Sequence, residues 1–472
     1  MNRVNRDFIL LLFGRLLQIA ITLFTLRIST SIMNESELGL SYLMIAIQTF
    51  FALFLINPVG QYFNRQTNSW FISGALNSCL LNQSLYVFFI SMISFVSLII
   101  ARVFGVLDLS ISLILIISAL VFSQSLNQTI IPMLNMIGRR YAFVFFNLFT
   151  ALLCAACSFT LLLYWSNNAS SWLMGIVVGC MVANACALLW VRGNVKLVKS
   201  TGVNVDRNIR KILLFALPIA FSTLFMWFLG SGYRVLVDNY YGLEFLAVLG
   251  VGVAVSSQIF SVIESLLSQY LIPSLYRNVD NVSKDLRLKF LNQYISTVIP
   301  IYVSLAIFLT FSIEYIFSFL VAEKYYSSYM FAVYAVWVEL FRVLTNVFSI
   351  TGQIEKVTSR TILPYVAGAV FLASIFTLNY YLKLEMDVMH LLIASNAIVL
   401  VYMGVKMNSL QRFSLPIKNI SVFGISATPS VLFFMWANIP QVASIKSFIL
   451  LCIGALIYLL GFMFSLGKLK NA

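Results

Sequence analysis

Six charged side chains interrupt long apolar stretches of this sequence: Arg15, Arg27, Arg234, Glu264, Glu339 and Arg342. A charge at the centre of a membrane helix costs about 2.5–3.5 kcal/mol even on the lenient insertion scale, so each of these residues needs a partner or a task. Guanidinium stays charged and grips phosphate oxygens bidentately, which suits a pyrophosphate. Carboxylates suit protons or small cations, and Glu264 and Glu339 are the candidates for coupling to a proton or sodium gradient. Arginines outnumber carboxylates four to two in this set. A cavity for organic cations would favour the opposite balance. No nucleophile, base and orienter stand together, and no GxxxxGK[ST] phosphate loop is present, so the residues speak for binding and passage rather than covalent catalysis.

Depth separates the six. A helix beginning at Phe8 carries Arg15 about 10 Å inward at 1.5 Å per residue. Gln18, Thr22, Thr25 and Ser29 share its face, forming a polar stripe, while Arg27 lies on another side. Arg27 and Arg234 fall at outer helix ends, where a long side chain can snorkel to the interface as readily as it can hold a ligand. A second stripe joins Ser257, Ser261, Glu264 and Ser268, and a third joins Glu339, Arg342, Asn346 and Ser349. Glu339 and Arg342, three residues apart, can also neutralise each other on one helix. Trp227 shares a face with Thr223, Gly230 and Arg234; its ring can stack on a sugar or serve as packing and interface anchor.

The elements that position these residues are membrane helices. The chain has 472 residues, of which 61% are hydrophobic and 10% charged, with a mean hydropathy of +0.95. Such a composition excludes an aqueous globule. Apolar windows of about 20 residues, the length a bilayer requires, begin near Phe8, Leu38, Ser84, Leu109, Ala142, Trp172, Lys211, Phe245, Ile295, Ser328, Ile362, His390, Ile420 and Lys446. None alternates like a barrel strand. The reading is an all-α polytopic protein with about 14 transmembrane helices. The +14 net charge would suit nucleic acid only if gathered on one exposed face; here the cations punctuate the apolar windows instead. Most of the 30 Lys and Arg fall in alternate connections, which places both termini in the cytoplasm. The first window reads as a retained helix rather than a cleaved signal. The six cysteines lie in or beside apolar windows and read as small packing residues. The basic stretch "VRGNVKLVKSTGVNVDRNIRKI" divides the chain, giving an N-terminal lobe at 1–192, a linker at 193–211, a C-terminal lobe at 212–418 and an extra helix pair at 419–472. A weak internal repeat supports two lobes, since "RVNRDFILLLFG" before the first window matches "DRNIRKILLFALP" before the seventh.

The segments "TLRISTSIMNESELGLSYLMIAI" and "YRVLVDNYYGLEFLAVLGVGVAVS" carry an arginine, then acids, then glycine with an aromatic residue. In this they resemble Wzx-type O-antigen and polysaccharide flippases of the MOP exporter superfamily, which also includes MATE drug transporters and the lipid II flippase. The resemblance implies two six-helix bundles in a V with a central cavity, plus two C-terminal helices as in the fourteen-helix members. It implies a transporter, not an enzyme, in the bacterial inner membrane. The implied substrate is a polyprenyl-pyrophosphate-linked oligosaccharide such as an O-antigen repeat unit, moved from cytoplasmic to periplasmic leaflet in lipopolysaccharide biosynthesis. The implied partners are the bilayer and other polysaccharide assembly proteins, with no cofactor and no nucleic acid. A MATE-like cation exporter is the alternative, and a membrane polymerase or ligase a more distant one, because the outer connections are too short for acceptor chemistry.

Overall fold

The computed structural model describes residues 3–107, 109–195, 209–279, 282–355, 357–384, 386–437 and 443–470. Among these residues every regular element is a helix. In lipid the backbone must satisfy itself within each segment, and a helix does so locally. Among the described residues, thirteen stretches are long and apolar enough to cross a membrane. The fourteen windows map onto them because one stretch, Arg210–Tyr276, is 67 residues long and contains both the seventh and the eighth windows. Its break is Gly242, at φ 84° and ψ 172°, a conformation glycine reaches without a Cβ penalty.

The chain forms two compact units, Met1–Ala247 and Val248–Ala472. The linker expected at 193–211 falls mostly on residues 196–208, outside the described residues.

In the first unit the helices are α1 (Arg3–Ile32), α2 (Glu35–Phe51), α3 (Asn57–Ile72), α4 (Leu76–Val103), α5 (Ile111–Met136), α6 (Arg140–Tyr164), α7 (Ala169–Asn194) and α8 (Ile209–Trp227), with the start of α9 (Tyr233–Val279). Five-residue π-helical turns, Ala52–Ile56 and Phe228–Gly232, join α2 to α3 and α8 to α9. The Ser110 and Asn168 side chains cap α5 and α7 by accepting from the amides of Leu113 and Ser171. Helices α6 and α7 approach until their backbones touch. A Cβ on Gly175 would collide with Ser158, and one on Gly179 would lie 2.6 Å from the Cα of Cys154. This Gly-x-x-x-Gly seam is the close packing that lipid-embedded helices use in place of hydrophobic collapse. Ser158 bonds the carbonyl of Trp172 at 2.8 Å across it. Deeper, Asn127 on α5 donates to Asn184 on α7 at 2.8 Å and to Thr150 on α6 at 3.2 Å, and Asn184 donates to the Ser123 carbonyl.

The acidic-glycine motif after α1 has a packing explanation. Glu37 accepts from the Ala169 amide at 2.7 Å, satisfying a free donor at the N-terminus of α7. Gly39 is buried against the backbone of Leu243, just past the Gly242 break, and an added Cβ would run into the Leu243 carbonyl oxygen.

The second unit holds the rest of α9 with α10 (Lys284–Leu320), α11 (Tyr329–Ile354), α12 (Ile362–Leu382), α13 (Val388–Asn408), α14 (Ile417–Trp436) and α15 (Ile445–Lys470). Gly252 on α9 meets the backbone of Phe331 and Ala332, and the neighbouring Ser256 donates to the Ala332 carbonyl at 2.7 Å, so α9 and α11 lie close. The last two helices pack on α10 through aromatic contacts: Phe308 stacks on Tyr458 at 4.3 Å, and Tyr315 stacks on Phe434 at 5.6 Å.

Candidate functional site

The second unit brings three of the expected charged residues into one cluster. Arg342 on α11 donates through Nε to Glu339 at 2.7 Å, one turn back on its own helix. Through Nη2 it donates to Glu264 on α9 at 2.9 Å. Asn346, one turn further along α11, donates to the other oxygen of Glu264 at 2.8 Å. The Tyr365 hydroxyl on α12 reaches the side-chain amide oxygen (Oδ1) of Asn346 at 3.5 Å. The Glu339 side chain is only 9% exposed, against 26% for Glu264 and 32% for Arg342. With both carboxylates ionised the cluster carries one excess negative charge, since one guanidinium is shared by two acids. A proton or a monovalent cation would balance it.

The first unit treats its arginines differently. Arg15 donates through Nη1 to Gln18 at 2.9 Å, a bond within one helix face. Its Nε–H is buried with no acceptor. Arg234 lies 5.4 Å above the ring of Tyr42, a cation–π distance, and makes one long bond of 3.5 Å to the Tyr42 carbonyl. Its Nε–H is likewise buried without an acceptor. Neither Arg15 nor Arg234 has a carboxylate within ion-pair distance among the described residues. Arg27 is half-buried on α1. The hydroxyls of the α1 stripe are spent locally: Thr22, Thr25 and Ser29 bond carbonyls of their own helix.

Trp227 is held on three sides. Its indole N–H donates to the Ala46 carbonyl on α2 at 2.9 Å, and its ring meets the Phe50 ring edge-on at 4.9 Å. A Cβ on Gly232 would touch its six-membered ring at 2.8 Å. Its neighbour on the same face, Thr223, is also engaged with α2, bonding the Leu53 carbonyl at 2.8 Å. The lone histidine, His390, is exposed, with its ring 4.9 Å from that of Tyr334.

Sequence reasoning did not single out Tyr365, Asn127 or Asn184. The two asparagines did leave a signal, since an amide in the middle of an apolar window is costly without a partner.

The all-helical fold described above is similar, over most of the chain, to the folds of several solved membrane transporters. No protein-family model and no curated protein matches the sequence. Among solved structures the chain is similar to the lipid II flippase MurJ in an inward closed conformation. That match has a TM-score of 0.68 at 13% identity and covers 98% of this chain and 99% of that one. It is also similar to the eukaryotic MATE transporter AtDTX14, with a TM-score of 0.56 at 10% identity, covering 89% of this chain and 96% of that one. A MOP superfamily transporter from Pyrococcus furiosus, noted for a reversed polarity of its binding pocket, matches at TM-score 0.56 and 12% identity, covering 88% of this chain and 96% of that one. At these identities the likeness concerns the fold.

Proposed function

We propose that this protein translocates a polyprenyl-pyrophosphate-linked oligosaccharide, such as an O-antigen repeat unit, across the bacterial inner membrane by alternating access. The observation that carries this reading is the state of the first-unit arginines. Arg15 and Arg234 keep buried Nε–H donors without acceptors and, among the described residues, have no carboxylate partner, so they hold unspent capacity for phosphate oxygens. Arg27 extends the same cationic inventory on α1. Fold coverage supports the lipid-linked class. The lipid II flippase aligns with essentially the whole chain, including the last helix pair, whereas the MATE transporter AtDTX14 leaves about a tenth of it unmatched.

The second-unit cluster is the proposed coupling site. Glu264 or Glu339 takes up one proton or one monovalent cation to balance the charge that Arg342 leaves over. Both termini lie in the cytoplasm in this reading, and transport runs from the cytoplasmic to the periplasmic leaflet, alongside other polysaccharide assembly proteins. A MATE-like cation exporter is the second reading, favoured by the two second-unit carboxylates. The test is removal of the protein from its host. Lipid-linked sugar facing the cytoplasm should accumulate, and a chromosomal Arg15→Gln variant should accumulate it too. Normal lipid-linked sugar levels together with heightened sensitivity to organic cations would favour the exporter.

A further inference from the structure

The π-turn that joins α2 to α3 has a specific flaw in its hydrogen bonding, and a side chain from α8 repairs it. At the end of the turn the Asn57 amide reaches back five residues to the Ala52 carbonyl. In that register the next carbonyl, Leu53, would be served by residue 58. That residue is Pro58, which has no N–H. The Thr223 hydroxyl supplies the missing donor, at 2.8 Å from the Leu53 oxygen. The same hydroxyl lies 3.0 and 3.1 Å from the Ile219 and Ala220 carbonyls of its own helix. Those two carbonyls face amide donors of α8, so Leu53 is where the single hydroxyl proton matters most. Thr223 is 7% exposed, which leaves little water to take its place. Two residues further, the Tyr86 hydroxyl on α4 donates to the Leu55 carbonyl at 2.6 Å.

The Leu53 carbonyl therefore has two alternative donors. In an α-helical register the Asn57 amide would reach back four residues, bond Leu53, and make Thr223 redundant. In the π register Asn57 serves Ala52, and Thr223 must serve Leu53. Exchanging one register for the other turns α3 by about 100° relative to α2, because a π-turn accommodates one extra residue.

We propose that Thr223 is a positioning residue that holds helix α2 in its π register, and that handing the Leu53 carbonyl between Thr223 and Asn57 is a step by which this helix changes shape during transport. Its place in a transport cycle rests on the function proposed above; the register itself does not.

The test uses full-length protein in lipid nanodiscs for hydrogen–deuterium exchange, and in proteoliposomes with a fluorescent polyprenyl-pyrophosphate-N-acetylglucosamine for transport. Thr223→Val keeps the shape and removes the proton. Thr223→Ser keeps the proton. Pro58→Ala combined with Thr223→Val gives Leu53 a backbone donor in the π register. Thr223→Val should change exchange at amides 53–57 by about threefold to tenfold, the worth of one hydrogen bond, and slow transport by a similar factor. Thr223→Ser should behave as wild type, and Pro58→Ala should restore the Val variant in both readouts. Packing alone would not respond to Pro58→Ala. Wild-type exchange in Thr223→Val, or no restoration by Pro58→Ala, overturns the inference. If exchange follows this pattern while no variant, wild type included, moves the lipid-linked sugar, the function proposed above fails and the register assignment stands.

Discussion

Replacing Arg342 by methionine should destabilise the second unit by about 3 kcal/mol. The substitution removes the donors to Glu339 at 2.7 Å and to Glu264 at 2.9 Å and leaves two carboxylates facing each other. Removing one partner of a buried ion pair costs about 3–5 kcal/mol, mostly because the other charge is stranded. The estimate sits at the low end because the cluster is unevenly enclosed. Glu339, 9% exposed, loses its donor with little water to replace it, which is worth about 2 kcal/mol for a bond to a charged group. Glu264 keeps Asn346 and is 26% exposed, so its share is about 1 kcal/mol. For a unit of this size, 3 kcal/mol corresponds to a fall in melting temperature of about 6–12 °C. The assay is intrinsic-fluorescence melting of detergent-purified protein. The triple variant Arg342→Met, Glu264→Gln, Glu339→Gln strands no charge and should recover most of the loss. A single variant that melts as wild type does, or a triple variant no more stable than the single, would refute the claim that this cluster is held by charge.

Two further outcomes follow from close contacts and unspent donors. Gly39→Val should abolish monodisperse behaviour in size-exclusion chromatography, because a side chain there meets the Leu243 carbonyl, whereas Gly60→Ala, with nothing within 4 Å, should elute as wild type. Arg15→Lys should lower transport by at least about tenfold with little change in melting, because an ammonium keeps the charge but loses the planar fork that grips phosphate.

What could be read from sequence and what could not divides along the distance over which information is local. Apolar windows of bilayer length are contiguous in the chain, so the helices were legible. The Glu339–Arg342 bond was legible as well, since residues three apart on a helix are neighbours by geometry. That Glu264 and Asn346 complete the cluster depends on how α9 meets α11, and that packing is set by Gly252 and Ser256 against Phe331 and Ala332. No linear pattern encodes it. Nor does any local pattern in the second window encode the slip of register before Pro58 or its compensation at Leu53 by Thr223, 170 positions further along the chain. The acidic-glycine motif, which carried the family resemblance, includes two packing residues: Glu37 anchors α7, and Gly39 admits Leu243.

The Gly175 and Gly179 seam has a consequence for how the chain is assembled. A membrane-inserted helix has no solvent-driven reason to find its neighbour, so pairs that interlock through backbone contact and shared polar bonds associate first. The α6–α7 hairpin has both, and a connection of only four residues, Trp165 to Asn168, keeps its arms together. It is suited to be the seed on which α1 and α5 dock as the first unit matures, and lesions along it would appear as failed biogenesis and early degradation, with almost none reaching the membrane in a form whose kinetics could be measured.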